Sequence, residues 1–163
     1  MEKIIKSWKA NAAKNEEDNF WFIKSLKMED PDIVDSIAKE LHEEAFKKID
    51  CLKCGNCCKI SKPLLLKEDI TRIADFLKIS EVVLKEKYLE KNEWDEWTMN
   101  ALPCPFLATD NSCKIYAVRP KDCQEFPHTN KDGFASRSYG HSANTVVCPA
   151  VFYIVENMQD RIK

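Results

Sequence analysis

The chain has 163 residues, 44% hydrophobic and 32% charged, with 25 lysines and arginines against 27 aspartates and glutamates for a net charge of -2. That length and balance suit one packed domain and exclude a compositionally disordered chain. They also give no overall electrostatic reason to bind nucleic acid. Three glycines, Gly55, Gly133 and Gly140, are too few and too scattered for a dinucleotide fingerprint or a phosphate-cradling loop.

Read in chain order, the first thirty residues are weakly patterned, with Trp8, Phe20, Trp21, Phe22 and Ile23 set among charges on a helix and a connector. Lys3, Lys6, Lys9 and Lys14 interrupt any apolar run of signal-peptide length. The expected address is therefore the cytoplasm. Asp30 is a good N-cap and Pro31 suits the first helical turn. Ile33, Val34, Ile37, Ala38, Leu41, Ala45 and Ile49 then predict an amphipathic helix over residues 32–49, with Asp35, Lys39, Glu43 and Lys47 on its solvated face. Helices are also predicted over residues 68–77 and 80–90, the second capped by Ser80 and buried by Val83, Leu84 and Tyr88. The alternation of Trp97, Met99 and Ala101 predicts a short strand. Asp110-Asn111 reads as a turn and Pro149 opens a closing helix. Residues 138–155 are the least charged stretch and are too polar to span a bilayer, so no membrane is expected as a partner.

Eight cysteines are the outlying feature of the composition. Cys51, Cys54, Cys57 and Cys58 fall within eight residues; Cys104, Cys113, Cys123 and Cys148 follow. In a reducing compartment such clustering points to metal rather than disulfides. Cys51-x-x-Cys54 brings two sulfurs onto one cation, and Gly55 follows where a tight turn needs a residue without Cβ. Extension to Cys57 gives the three-cysteine run of iron–sulfur proteins, which take a fourth ligand from elsewhere, often before proline. Cys104-Pro105 and Cys148-Pro149 both fit that description. Cys148 stands at the N-cap of the last helix, where the helix dipole favours a thiolate. Cys123 stands in a short helix opened by Arg119-Pro120. Adjacent side chains diverge, so Cys57 and Cys58 serve two centres or bridge two metals. Eight thiolates match two four-sulfur sites or one multinuclear cluster.

Taken in order, these residues resemble the YkgJ-type CxxCxxCC cysteine-cluster family. The resemblance lies in Cys51-x-x-Cys54-Gly-x-Cys57-Cys58, in Pro103-Cys104-Pro105-Phe106-Leu107, and in Cys113-x-Ile115-Tyr116-x-x-Arg119-Pro120-x-x-Cys123-x-x-Phe126-Pro127. It spans residues 51–127 and extends to Cys148. It implies chelation of zinc or iron and names no reaction. Some relatives carry names linked to flagellin lysine N-methylation or to iron–sulfur oxidoreductases. Where the family commonly has arginine after the third downstream cysteine this chain has Gln124, which weakens transfer of an anion-binding role there.

Other residues carry less. His42-Glu43-Glu44 lacks the second histidine of a zinc-protease helix, since Phe46 stands there. His42 is read as a helix-surface residue; His128 and His141 are polar residues with an outside role as ligands. Arg119 is the cation best placed to offset thiolate charge. Lys53, Lys59 and Lys62 form a small basic patch beside the cluster.

The expectation is a mostly α fold with a few short strands. It is a small single domain over residues 1–163, organised around a cysteine-rich metal-binding loop core. Residues 1–50 form its N-terminal helical segment and residues 51–163 its cysteine-cluster module. The leading functional reading is a metal-binding protein that holds zinc, iron or an iron–sulfur cluster through the eight cysteines. An iron–sulfur enzyme or accessory protein in electron transfer or protein modification is the alternative. A zinc-organised adaptor for a protein partner is the third reading, resting on the amphipathic N-terminal third. Thiolates accept both zinc and iron, so ligand type alone does not choose between them.

Overall fold

The computed structural model describes residues 1–162. The chain runs as α1 (Glu2–Asn11), α2 (Glu16–Ser25), α3 (Pro31–Lys48), α4 (Cys51–Cys54), α5 (Asn56–Ile60), β1 (Leu64–Leu65), α6 (Lys67–Leu77), α7 (Glu81–Tyr88), β2 (Leu89–Lys91), β3 (Trp97–Met99), α8 (Lys121–Glu125), α9 (Ser138–Thr145) and α10 (Pro149–Arg161). It is mostly helical with one small sheet, as the apolar periodicities require. Short 3₁₀ turns occupy Leu26–Met28, Tyr116–Val118 and Ala135–Arg137. No helix of the described residues is long and apolar enough to cross a membrane.

The chain divides into two compact units, one formed by Met1–Asp50 with the segment from Pro127 onward, the other by Cys51–Phe126. In the first, α3 begins where the sequence places it: the Asp30 carboxylate accepts from the Asp32 N–H at 2.9 Å, and Pro31 needs no donor in the first turn. Its stripe of Val34, Ala38, Leu41, Ala45 and Ile49 is buried with Leu26, Phe134, Ala150, Ile154 and Met158. Asp35, predicted on the solvated face, instead accepts from the backbone N–H groups of Gly133 and Phe134 at 2.6 and 2.9 Å, which seats Phe134 in this core. The closing helix α10 is buried along Ala150, Val151, Phe152, Ile154, Val155 and Met158, so it is the central element rather than a surface lid. The weakly patterned N-terminus is two helices. Trp8 of α1 anchors the first by donating from Nε1 to the Thr145 carbonyl at 2.8 Å.

In the second unit, β3 lies between β1 and β2, antiparallel to both, in the register Leu64↔Thr98 and Leu89↔Met99. The core is Leu65, Ile70, Ile73, Ala74, Leu84, Leu89, Met99, Phe106 and Ile115. Ser80 caps α7 as predicted, its Oγ accepting from the Val83 N–H at 3.2 Å. The helix predicted to Glu90 ends at Tyr88, because Leu89–Lys91 leaves it to pair with β3. Val83, expected in the core, is exposed. Alternation also fails inside β3: Thr98 is buried beside Met99, its hydroxyl donating to the Pro63 carbonyl at 2.9 Å.

Two carboxylates fix where α8 begins. Asp69, buried in the first turn of α6, accepts from the Leu66 and Lys121 N–H groups at 3.0 Å each and from Arg72 at 2.6 Å. Asp122 accepts from the Leu64 N–H at 3.0 Å. A buried carboxylate gives up hydrating water and takes such donors in its place. These two lock α8, with Cys123 in its middle, against α6 and β1.

Candidate metal centre

Three separate devices aim cysteines at one region of the second unit. Cys51 and Cys54 lie on the one-turn helix α4, and Cys57 and Cys58 on α5, with Gly55 between them at φ +56°. A Cβ there would stand 2.9 Å from Asn111 Cβ and 3.2 Å from its carbonyl oxygen. Only glycine therefore permits the left-handed turn and the close approach of the 108–112 turn. Asn111 completes the join, its Nδ2 donating to the Lys53 carbonyl at 3.1 Å.

Cys104 is brought in by its own backbone, its N–H donating to the Cys58 carbonyl at 2.7 Å. From there the chain folds as a tight hairpin. Lys114 N–H donates to the Phe106 carbonyl at 2.9 Å, and Leu107 and Cys113 form an antiparallel bridge. Cys104 and Cys113 thus sit on the two arms of one hairpin, with Phe106 and Ile115 buried beneath them. Cys123 arrives on the pinned helix α8.

The electrostatics record the convergence. Burial pushes the Cys123 thiol well above its usual range, and Cys58, the adjacent Asp122 carboxylate, Cys104 and Cys113 raise it further. Burial also raises Cys104 and Cys113, and both feel Cys58 as a like charge. Cys58 is raised first by a hydrogen bond with the Cys57 thiol, then by burial. Opposing these effects, the nearby backbone N–H groups of Phe106 and Leu107 lower Cys104 and that of Ile115 lowers Cys113, the Leu107 N–H itself donating to the Cys104 carbonyl at 2.9 Å. Such donors favour the thiolate. Arg119, singled out from sequence, lowers Cys113. Its guanidinium lies 3.9 Å from the Tyr116 ring centroid and donates to the Tyr116 carbonyl at 2.8 Å. Lys59 acts likewise on Cys58. Lys62 pairs with Glu90 at 2.6 Å, so the predicted basic patch is smaller than expected.

Of the eight predicted cysteines, then, Cys58, Cys104, Cys113 and Cys123 lie within one another's electrostatic reach, and Cys57 bears on its neighbour Cys58. Cys54, Cys57, Cys58, Cys104, Cys113 and Cys123 are free half-buried thiols, and Cys51 is exposed. Cys148 is the N-cap residue of α10, as predicted, and packs against Ile23, Val151 and Val155 of its own unit. Among the described residues no three His, Cys, Asp or Glu side chains are drawn together tightly enough to hold an ion. Gln124, at the departure from the family pattern, donates from Nε2 to the Arg119 carbonyl at 2.8 Å and so steadies the loop that carries this cation.

Two histidines differ from their sequence reading. His42 is half-buried, with Nδ1 at 2.8 Å from Thr129 Oγ1. His141 is buried, its ring stacked on Phe134 at 4.1 Å and 16°, and neither ring nitrogen has a hydrogen-bond partner. Burial, then Arg137 and His128, push it down to about 4 from its ordinary 6.5. The folded state thus binds fewer protons than the unfolded chain between these values. Stability from this group is full above the unfolded value and is lost as pH falls from there toward about 4, by up to about 1.4 kcal/mol per pH unit. His141→Phe preserves the stack and should flatten that acid slope. Urea midpoints at about pH 7 and about pH 4.5 read the difference; equal slopes in both proteins would assign the titration elsewhere.

One family model matches the chain over residues 50–148: CxxCxxCC, a putative zinc- or iron-chelating domain. That span contains all eight cysteines. No solved structure matches the chain.

Proposed function

The chain belongs to the CxxCxxCC family of zinc- or iron-chelating domains, and from that premise we propose that Cys58, Cys104, Cys113 and Cys123 form one four-thiolate metal site. The carrying observation is their convergence from three elements, held by the Cys104 N–H on the Cys58 carbonyl, the Leu107–Cys113 bridge of the hairpin and the two carboxylates that pin α8. Four sulfurs and no oxygen donors suit zinc or iron and disfavour magnesium or calcium. Arg119 and Lys59 offset the negative charge that four thiolates leave around a divalent ion. The metal would supply cross-linking of α5, the hairpin and α8, and residues 51–63, which lead into it, have only Leu52 and Ile60 as large aliphatic side chains.

The run Cys51, Cys54 and Cys57 offers three further thiolates, Cys57 beside Cys58, and Cys148 remains a candidate ligand on its helix N-cap. Three cysteines at this spacing are also the iron–sulfur pattern, so the reading extends to a cluster in place of a single ion. Metal analysis and an absorption spectrum of protein purified without oxygen test it. We expect about one or two bound ions per chain. A featureless visible spectrum identifies zinc, and broad visible absorption identifies iron or an iron–sulfur cluster. Protein that leaves purification metal-free and takes up neither metal overturns the proposal.

A further inference from the structure

The third sequence reading placed a partner-binding face on the stripe of α3, but all of that stripe except Ile33 and the partly buried Ile37 is buried in the core of its own unit. The exposed aromatic surface of this unit lies instead on and beside α2. Trp21 is 61% exposed, Tyr139 of α9 68% and Met28 88%. Phe20 joins them: its ring meets Trp21 edge-on at 5.1 Å and lies 6.1 Å from Tyr139. Lys24 holds the group together. Its Nζ donates to Tyr139 Oη at 3.1 Å and stands 5.2 and 4.6 Å from the Phe20 and Tyr139 centroids. Touching aromatics of this kind, rimmed by charge, are typical of binding surfaces rather than of bare solvent-facing helices.

The charge pattern along α2 says what covers it. Glu16, Glu17 and Asp18 form its first turn, Lys24 its last, and Lys27 follows. Glu17, Trp21 and Lys24 fall at i, i+4 and i+7, on one side of the helix. A helix that is acidic at one end, aromatic in the middle and basic at the other is complementary to itself when reversed. Two copies placed antiparallel about an axis between residues 20 and 21 set Glu17 opposite Lys24 and Phe20 opposite Trp21, twice over. This is the condition for an isologous twofold contact.

We propose that the α2 face, with Tyr139 at its edge, is the interface of a homodimer of this chain. One helix face is smaller than the roughly 800 Å² per partner of a stable interface. The dimer is therefore concentration-dependent. Opposed charges set the antiparallel register and the central aromatics supply most of the affinity.

Sedimentation velocity across a concentration series of the full chain tests this, with circular dichroism to confirm that each variant is folded. Wild type should pass from monomer to dimer. Trp21→Ala should weaken the dimer at least about tenfold, as removal of a central aromatic anchor does. Lys24→Glu should weaken it through like charges facing across the axis. The double variant Glu17→Lys with Lys24→Glu restores opposite charges between copies and should recover dimerisation, although it does not restore the Lys24–Tyr139 bond. Wild type that stays monomeric at every concentration overturns the proposal and leaves the face to a different partner. A dimer indifferent to Trp21→Ala, or a double variant as weak as Lys24→Glu, overturns it as well.

Discussion

Chelating the metal from purified protein is expected to strip amide-exchange protection from residues 51–63 while residues 1–50 keep theirs. The reason is the distribution of apolar burial. Along residues 51–63 the large aliphatic side chains are Leu52 and Ile60, and Ile60 is half exposed. A fully buried aliphatic side chain contributes about 1.5–3 kcal/mol, and this segment lacks even a few of them. A structural thiolate site contributes apparent binding energy of about 10–16 kcal/mol in zinc-finger peptides. In the segment that holds Cys51, Cys54, Cys57 and Cys58 the metal therefore outweighs hydrophobic burial. The helices α6 and α7, the sheet and the base of the hairpin share the buried cluster of Ile70, Ile73, Leu84, Leu89, Met99, Phe106 and Ile115 and should loosen less. In the other unit Val34, Leu41, Ile154 and Met158 are fully buried without any help from a cation. Hydrogen exchange of holo and chelated protein, read by segment, checks the ranking. Equal protection of residues 51–63 in both samples would show that packing, not metal, holds the cysteines.

Elements whose boundaries are set by local chemistry were readable from sequence. Asp30-Pro31 and Pro149 mark the starts of α3 and α10, Ser80 caps α7, and the Asp110-Asn111 turn lies where it was placed. What failed was decided by distant partners. Residues 80–90 read as one helix because Lys85 to Lys91 contain no breaker, yet Leu89 leaves the helix to face Met99. Thr98 is buried against its polarity because the Pro63 carbonyl accepts its hydroxyl.

The candidate site divides the same way. That the cysteines belong together was visible in their spacing. Which of them converge depends on the Cys104 N–H meeting the Cys58 carbonyl, and on Asp69 and Asp122 pinning α8; no local pattern announces either contact. His141 carried no signal at all. Its neighbours Tyr139, Gly140 and Ser142 are polar or small, and its burial follows from Phe134, which Asp35 seats from another part of the chain.

Replacing Cys58 or Cys123 by serine should cost metal affinity by more than the about 10–100-fold that follows loss of a supporting residue. Cys58 is the thiol that Cys104, Cys113 and Cys123 each feel, and Cys123 lies on the most firmly pinned element; Cys123 has no cysteine beside it in sequence, whereas Cys57 adjoins Cys58, so Cys123→Ser should cost the more of the two. The same interactions fix the pH dependence, with opposite signs in the two states of the protein. Without metal, the four thiols have folded-state values raised above their ordinary 9.0, so the folded chain binds more protons than the unfolded chain at alkaline pH. Their contribution is present below about pH 9 and is lost as pH rises above it. With metal, each thiol must deprotonate to bind, so affinity falls as pH falls, by up to about 1.4 kcal/mol per pH unit for each proton released. Because the metal-free thiols are protonated near neutrality, binding one ion should release about four protons. Each serine variant should release fewer. Proton release against metal added, measured with a pH dye in weak buffer, gives that count directly. A wild-type count near zero, or serine variants that bind as tightly as wild type, would remove these four thiols from the metal site.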